Sequence, residues 1–253
     1  MPTCPSWTLA DLVKHTGSVQ RWFSVQLRAR MEQPRKREVV LRLPEQGDGY
    51  ADWLAESATV AADAFAATDP DLPMWAWGVD QHARFWVRCM LFETLLHRAD
   101  AELALGCRPA IDPPLAVDGI DEFLVNLPFA TSFAPKVANL RGPDKTIRFR
   151  TTDRDDAWLV RLRPDGFGLD TSPAAHTADA TVRGTAADLP LLVYGRLSYE
   201  AEALAARGGR AHAGPLVRQF RHLRPGACST PRLPRRCAGA VDRWTERWKE
   251  RVR

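Results

Sequence analysis

The stretch DQHARFWVRCMLFETLLHRADAE, residues 80–102, carries Trp86, Met90, Glu93, His97 and Ala101 on a single stripe at spacings of three and four residues. That period is the one an α-helix imposes on residues sharing a face. The pattern predicts a long helix that Asp80 caps and that runs to about Leu105, where Gly106 stops it. Two ionisable residues on an otherwise apolar stripe need a reason. Glu93 and His97 are one turn apart, so a carboxylate oxygen and an imidazole nitrogen can reach one point. An unpaired buried carboxylate costs roughly several kcal/mol, so such a pair calls for a mutual hydrogen bond or a metal. On spacing alone the hydrogen bond is the commoner explanation.

Toward the N-terminus, Thr8 followed by Asp11 resembles a capping box with a shorter acid. Leu12, Val13, Val19, Trp22 and Phe23 supply the apolar face of a first helix, and His15 sits inside that pattern. Arg35-Lys36-Arg37 reads as a solvated loop, followed by an extended segment from Val39 to Leu43. A second helix is expected from about Gly49 to Ala67, ending at the turn-rich Asp69-Pro70-Asp71-Leu72-Pro73.

Toward the C-terminus the period changes. Arg108-Pro109 and Asp112-Pro113-Pro114 read as a stiff linker over 108–118. A helix is expected over 119–126, then strands at 146–151 and 157–162 joined by a turn at 153–156, and a third strand at 178–182. Thr185 and Asp188 form a further cap pair ahead of a short helix. From Arg207 onward there are 13 Lys/Arg against 3 Asp/Glu, a surplus of +10, so the preceding 206 residues carry −6. The high isoelectric point therefore belongs to the basic tail, 207–253, where disorder and one short helix near Trp244–Val252 are expected. The acidic globular part argues against a nucleic-acid partner.

With 45% apolar residues the chain can form an ordinary globular core. It has no apolar run long enough for a transmembrane helix and no signal-peptide pattern, so no membrane partner is expected and a cytoplasmic location is. Five scattered cysteines, Cys4, Cys89, Cys107, Cys228 and Cys237, without a CxxC spacing, argue against a disulfide framework and a cysteine-rich zinc site. Cys89 reads as a small buried apolar residue.

Three separated segments resemble one family. Cys4-Pro5-Ser6-Trp7-Thr8 with Asp11-Leu12-Val13-Lys14-His15 is similar to the C-P-x-W-[ST]-x-x-D-L-x-x-H opening of the mycothiol-dependent maleylpyruvate isomerases, members of the wider group of DinB-like four-helix metal proteins. Glu93-Thr94-Leu95-Leu96-His97-Arg98-Ala99-Asp100-Ala101-Glu102 resembles their E-T-x-x-H-R-x-D-A-E helix. Residues 178–189, continuing to Tyr194-Gly195-Arg196, resemble their sterol-carrier-like second domain. The likeness spans roughly residues 4 to 205.

The resemblance implies an α+β fold: an N-terminal DinB-like helical bundle over 1–107, then a small α/β sterol-carrier-like domain over 119–206. Family members carry a helix before the C-P-x-W motif, whereas this sequence begins three residues before Cys4. One bundle helix is therefore expected to be missing: either the start is misassigned, or a partner chain completes the bundle as an oligomer.

The resemblance further implies a divalent metal, zinc, held by His15, Glu93 and His97. Three protein ligands leave a fourth position open, as in catalytic zinc sites. In the family that position serves the thiol of mycothiol, which adds to the cis double bond of maleylpyruvate. Rotation about the new single bond and loss of the thiol give fumarylpyruvate. Arg196 is the candidate catalytic cation for the substrate's carboxylates, the alternative being an exposed arginine at a helix end. The expected activity is that of a mycothiol-dependent isomerase or thiol transferase acting on an electrophilic small molecule. The alternative is a non-catalytic metal-binding or regulatory module.

Overall fold

The computed structural model describes residues 1–32, 41–45, 47–170, 178–198 and 205–207, the last three as backbone alone. They fall into two compact units. The first comprises Met1–Ala76 and Asp80–Cys107; the second comprises Trp77–Val79 and the described residues from Arg108 onward.

The first unit is helical: α1 spans Leu9–Arg28, α2 Tyr50–Ala66 and α3 Ala83–Ala104. The capping box that begins α1 is complete, with the Asp11 amide donating to Thr8 Oγ1 at 3.2 Å and the Thr8 amide donating to Asp11 Oδ2 at 2.9 Å. Gly17 lets α1 approach the Trp53 indole of α2. The buried Arg21 donates from Nε to Ser57 Oγ at 2.7 Å across the same interface. On α3, Trp86 anchors an aromatic cluster with Phe23 of α1 and Trp75, at centroid distances of 4.9 and 5.6 Å.

Asp80 does not cap α3. His82 is the N-cap, with extended backbone, because the Asp80 carboxylate is taken up by side chains. Arg84 Nε donates to it at 2.6 Å, and His82 Nδ1 lies 2.6 Å from its other oxygen. The far end agrees with expectation. Gly106 adopts φ +73°, and the Gly106 and Cys107 amides donate to the Leu103 and Glu102 carbonyls, closing the helix as a Schellman motif. Cys89 is half-buried rather than buried, since it lies beside the inward stripe and not on it. Among the described residues, Cys4, Cys89 and Cys107 form no disulfide with one another.

The second unit begins with α4, Pro113–Asn126. This helix starts six residues before the expected Gly119, inside the stretch read as linker. Proline at the first helical positions forfeits only an amide that has no helical partner, and Asp112 caps the turn by accepting from the Leu115 amide. A five-stranded mixed sheet follows, in the order β3-β2-β1-β4-β5: β1 Lys145–Thr151, β2 Ala157–Arg163, β3 Gly166–Leu169, β4 Ala180–Gly184 and β5 Ala205–Arg207. β1 pairs antiparallel with β2 and parallel with β4. Strand β5 was not expected, and it extends the sheet to Arg207 by pairing that residue with Thr181.

Period-two alternation sends Ile147 and Phe149 of β1, and Trp158, Val160 and Leu162 of β2, into one core with Ile120, Phe123 and Leu124 of α4. The short helix α5, Asp188–Val193, adds Leu189 and Leu192. It begins at the expected Thr185–Asp188 pair, where the Thr185 hydroxyl donates to the Asp188 carboxylate at 2.7 Å.

Among the described residues no helix is long and apolar enough to cross a membrane. The loop at 35–37, residues 39–40 of the expected extended segment, and the tail and terminal helix beyond residue 207 lie outside the described residues. Residues 41–43 are described and belong to no strand.

Candidate metal centre

Glu93 and His97 project from α3 four residues apart, and His97 Nε2 lies 3.0 Å from Glu93 Oε1. Packing of α1 on α3 brings His15, 78 residues away in sequence, to the same oxygen, with Nε2 at 3.2 Å. One ligand atom from each of the three residues lies within 4.8 Å of the others, and this group could hold a metal ion. The two nitrogen–oxygen distances are close to the ligand–ligand separation of about 3.3 Å that tetrahedral zinc with bonds near 2.05 Å requires. His15 and His97 are nearly perpendicular, with ring centroids 4.8 Å apart.

The surroundings explain why these groups tolerate burial together. His97 Nδ1 lies 3.0 Å from Oδ2 of Asp100, which is fully buried. A carboxylate on the far nitrogen keeps that nitrogen protonated and frees the near one as a lone-pair donor, the second-sphere arrangement of many metal-bound histidines. Without a metal, His97 would have to donate from both nitrogens at once, to Glu93 and to Asp100, while His15 donates to the same Glu93 oxygen. A cation at that point relieves the crowding, so the donor set fits a divalent ion. Burial alone would raise the Glu93 carboxyl, but the charge of His97 and the hydrogen bonds of both imidazoles outweigh it and hold the group well below the usual carboxylate range. The Glu93 side chain keeps 30% of its exposure, against 11% for His15 and 9% for His97, so Glu93 is the member at the edge of the cluster.

Trp7 covers the imidazoles, its ring centroid 4.9 Å from that of His15 and 6.4 Å from that of His97. Asp100 and Trp7 appear in the sequence only as letters of the two motifs. The i to i+3 step from His97 to Asp100 was the available signal. Arg196 belongs to the second unit, where its guanidinium donates to the Tyr194 carbonyl at 2.8 Å. The Tyr194 hydroxyl in turn donates to Glu122 at 3.1 Å.

Residues 1–102 match the mycothiol maleylpyruvate isomerase N-terminal domain, and residues 114–215 match the MDMPI C-terminal domain. The chain belongs to the mycothiol maleylpyruvate isomerase family. The helical unit and the mixed-sheet unit correspond in order to the family's two domains, and the fold is α+β. Family membership supports a mycothiol-dependent, isomerase-like function, with small-molecule thiol and electrophile as its partners. A solved structure titled UbiJ-SCP2 ubiquinone synthesis protein is similar over 44% of this chain and 94% of its own, at 21% identity and a TM-score of 0.32. No curated protein matches the chain.

Proposed function

We propose that this chain is a mycothiol-dependent isomerase or thiol transferase in which His15, Glu93 and His97 hold one zinc ion. The observation that carries this reading is the convergence of three donor atoms from two helices, with Asp100 behind His97. Zinc bound there supplies a Lewis acid that keeps a coordinated thiol deprotonated near neutral pH.

The chain's own residues prepare that chemistry. Asp100 orients His97 with its Nε2 lone pair inward. Glu93 stays ionised and contributes the negative charge that a divalent ion requires. The partial exposure of Glu93 leaves an approach for a thiol from solvent. Trp7 shields one side of the two imidazoles from water. The substrate class is a cis-unsaturated dicarboxylate or a comparable electrophile.

Cobalt-substituted protein is the test. Adding mycothiol is expected to produce a thiolate-to-metal charge-transfer band, and the same protein should turn over a cis-unsaturated electrophile only when the thiol is present. Hydrolysis of the substrate at equal rate without thiol would show water to be the nucleophile and overturn the proposal.

A further inference from the structure

The two imidazoles of the cluster are supported unequally. His97 has Asp100 on its distal nitrogen at 3.0 Å. His15 has nothing comparable: its Nδ1 is buried and meets no hydrogen-bond partner among the described residues. A ligand whose second nitrogen is free is held only by packing, and its ring can turn about χ2. Two rings lie against His15: that of its fellow ligand His97, at a centroid distance of 4.8 Å, and that of Trp7, at 4.9 Å and an interplanar angle of 58°. Tilted contact at that distance brings the positive edge of one aromatic ring toward the negative face of another, an attraction that favours one ring orientation.

Trp7 is itself fixed. Its amide donates to the Cys4 carbonyl at 2.9 Å, and Cys4 and Thr3 are buried. The next residue, Thr8, closes the capping box of α1. Trp7 and Leu12 therefore occupy the N′ and N4 positions flanking that cap.

Building on the proposed metal site, we infer that Trp7 is a positioning residue for it. The indole holds the His15 ring with Nε2 directed at Glu93, the task Asp100 performs for His97. The cluster is thus braced by a hydrogen bond on the α3 side and by an aromatic ring on the α1 side.

Zinc affinity of the full chain, measured by competition with a chromophoric chelator, tests this beside the ligand-field spectrum of the cobalt form. Trp7→Leu is expected to bind about 10–100-fold more weakly, the usual effect of losing an outer-sphere support. Its cobalt spectrum should move toward that of His15→Ala and not toward that of Asp100→Asn. Trp7→Phe keeps a π-face and should restore both affinity and spectrum. Trp7→Met fills the volume without a ring and serves as the second ring-less variant if Trp7→Leu does not fold; it should bind as weakly as expected for leucine. Trp7 variants that lower the thermal midpoint of the metal-free protein but bind zinc as tightly as wild type, with an unchanged cobalt spectrum, would overturn this inference alone. Wild-type protein that takes up no zinc would overturn the metal reading and this inference with it.

Discussion

Both units bury an apolar core, and the first also gathers a cluster of ionisable groups between its helices. Around α3 the first unit buries ionisable groups, His97 and Asp100 with Glu93 at the edge, and satisfies them with one another. The second unit buries an apolar core of Ile147, Phe149, Leu162 and Leu189, with Asp179 and Lys145 paired at its margin. Buried charge is costly unless fully partnered, so a cluster of this kind is kept for chemistry, whereas an apolar core stabilises by removing area from water. Loss of one residue should therefore be felt as lost ligand binding in the first unit and as lost stability in the second.

The largest effect is expected in the second unit. Phe149→Ala removes a fully buried ring and should cost about 3–5 kcal/mol of that unit's stability, read by chemical denaturation. Zinc affinity should not change if the division of labour holds. The converse is His97→Ala. Against about 10–16 kcal/mol for a complete four-ligand zinc site, loss of one ligand corresponds to roughly 3–4 kcal/mol, enough to empty the site at micromolar metal. Metal analysis of the purified variant should then find none, while the second unit's unfolding is unmoved.

Gly17→Ala probes packing in the first unit. A Cβ there collides with the Trp53 indole, so the indole or the spacing of α1 and α2 must shift, at a cost of about 1–3 kcal/mol by thermal unfolding. Because His15 lies on the same helix, zinc affinity should fall as well, which would sharpen the contrast with Phe149→Ala.

The smallest effect is expected at Asp179. Its carboxylate accepts from Lys145 Nζ at 2.8 Å and from the Thr146 amide and hydroxyl at 2.9 Å each, and these bonds pull it down to about 2 from an ordinary 3.8. Folding thus favours the ionised form. Its contribution is complete above pH 3.8 and disappears as pH falls through 2. Asp179→Asn should cost about 1 kcal/mol near neutral pH, and the gap from wild type should close in acid. A gap independent of pH would mean that the charge plays no part.

Much of the first unit was legible in the residues because its signals are local. The stripe from Trp86 to Ala101, the Thr8–Asp11 box and the stop at Gly106 each depend on neighbours within a turn or two. Asp80 misled because two side chains, His82 and Arg84, compete for the carboxylate that would otherwise cap the backbone. In the second unit, alternation marked β1 and β2. Strand β3 was missed because glycine at 166 and 168 leaves no alternating pattern, and the strand exists by pairing with β2.

By itself the sequence determined the helical periods, the caps, the apolar alternation and the one-turn spacing of Glu93 and His97, since each follows from backbone geometry over a few residues. Only the tertiary structure decided that His15 meets Glu93 across 78 residues, that Asp100 is buried behind His97, and that β1 runs parallel to β4. Those outcomes depend on which faces of separate elements pack together. That choice is made by the whole core, through area removed from water and polar groups satisfied, and no short segment contains it.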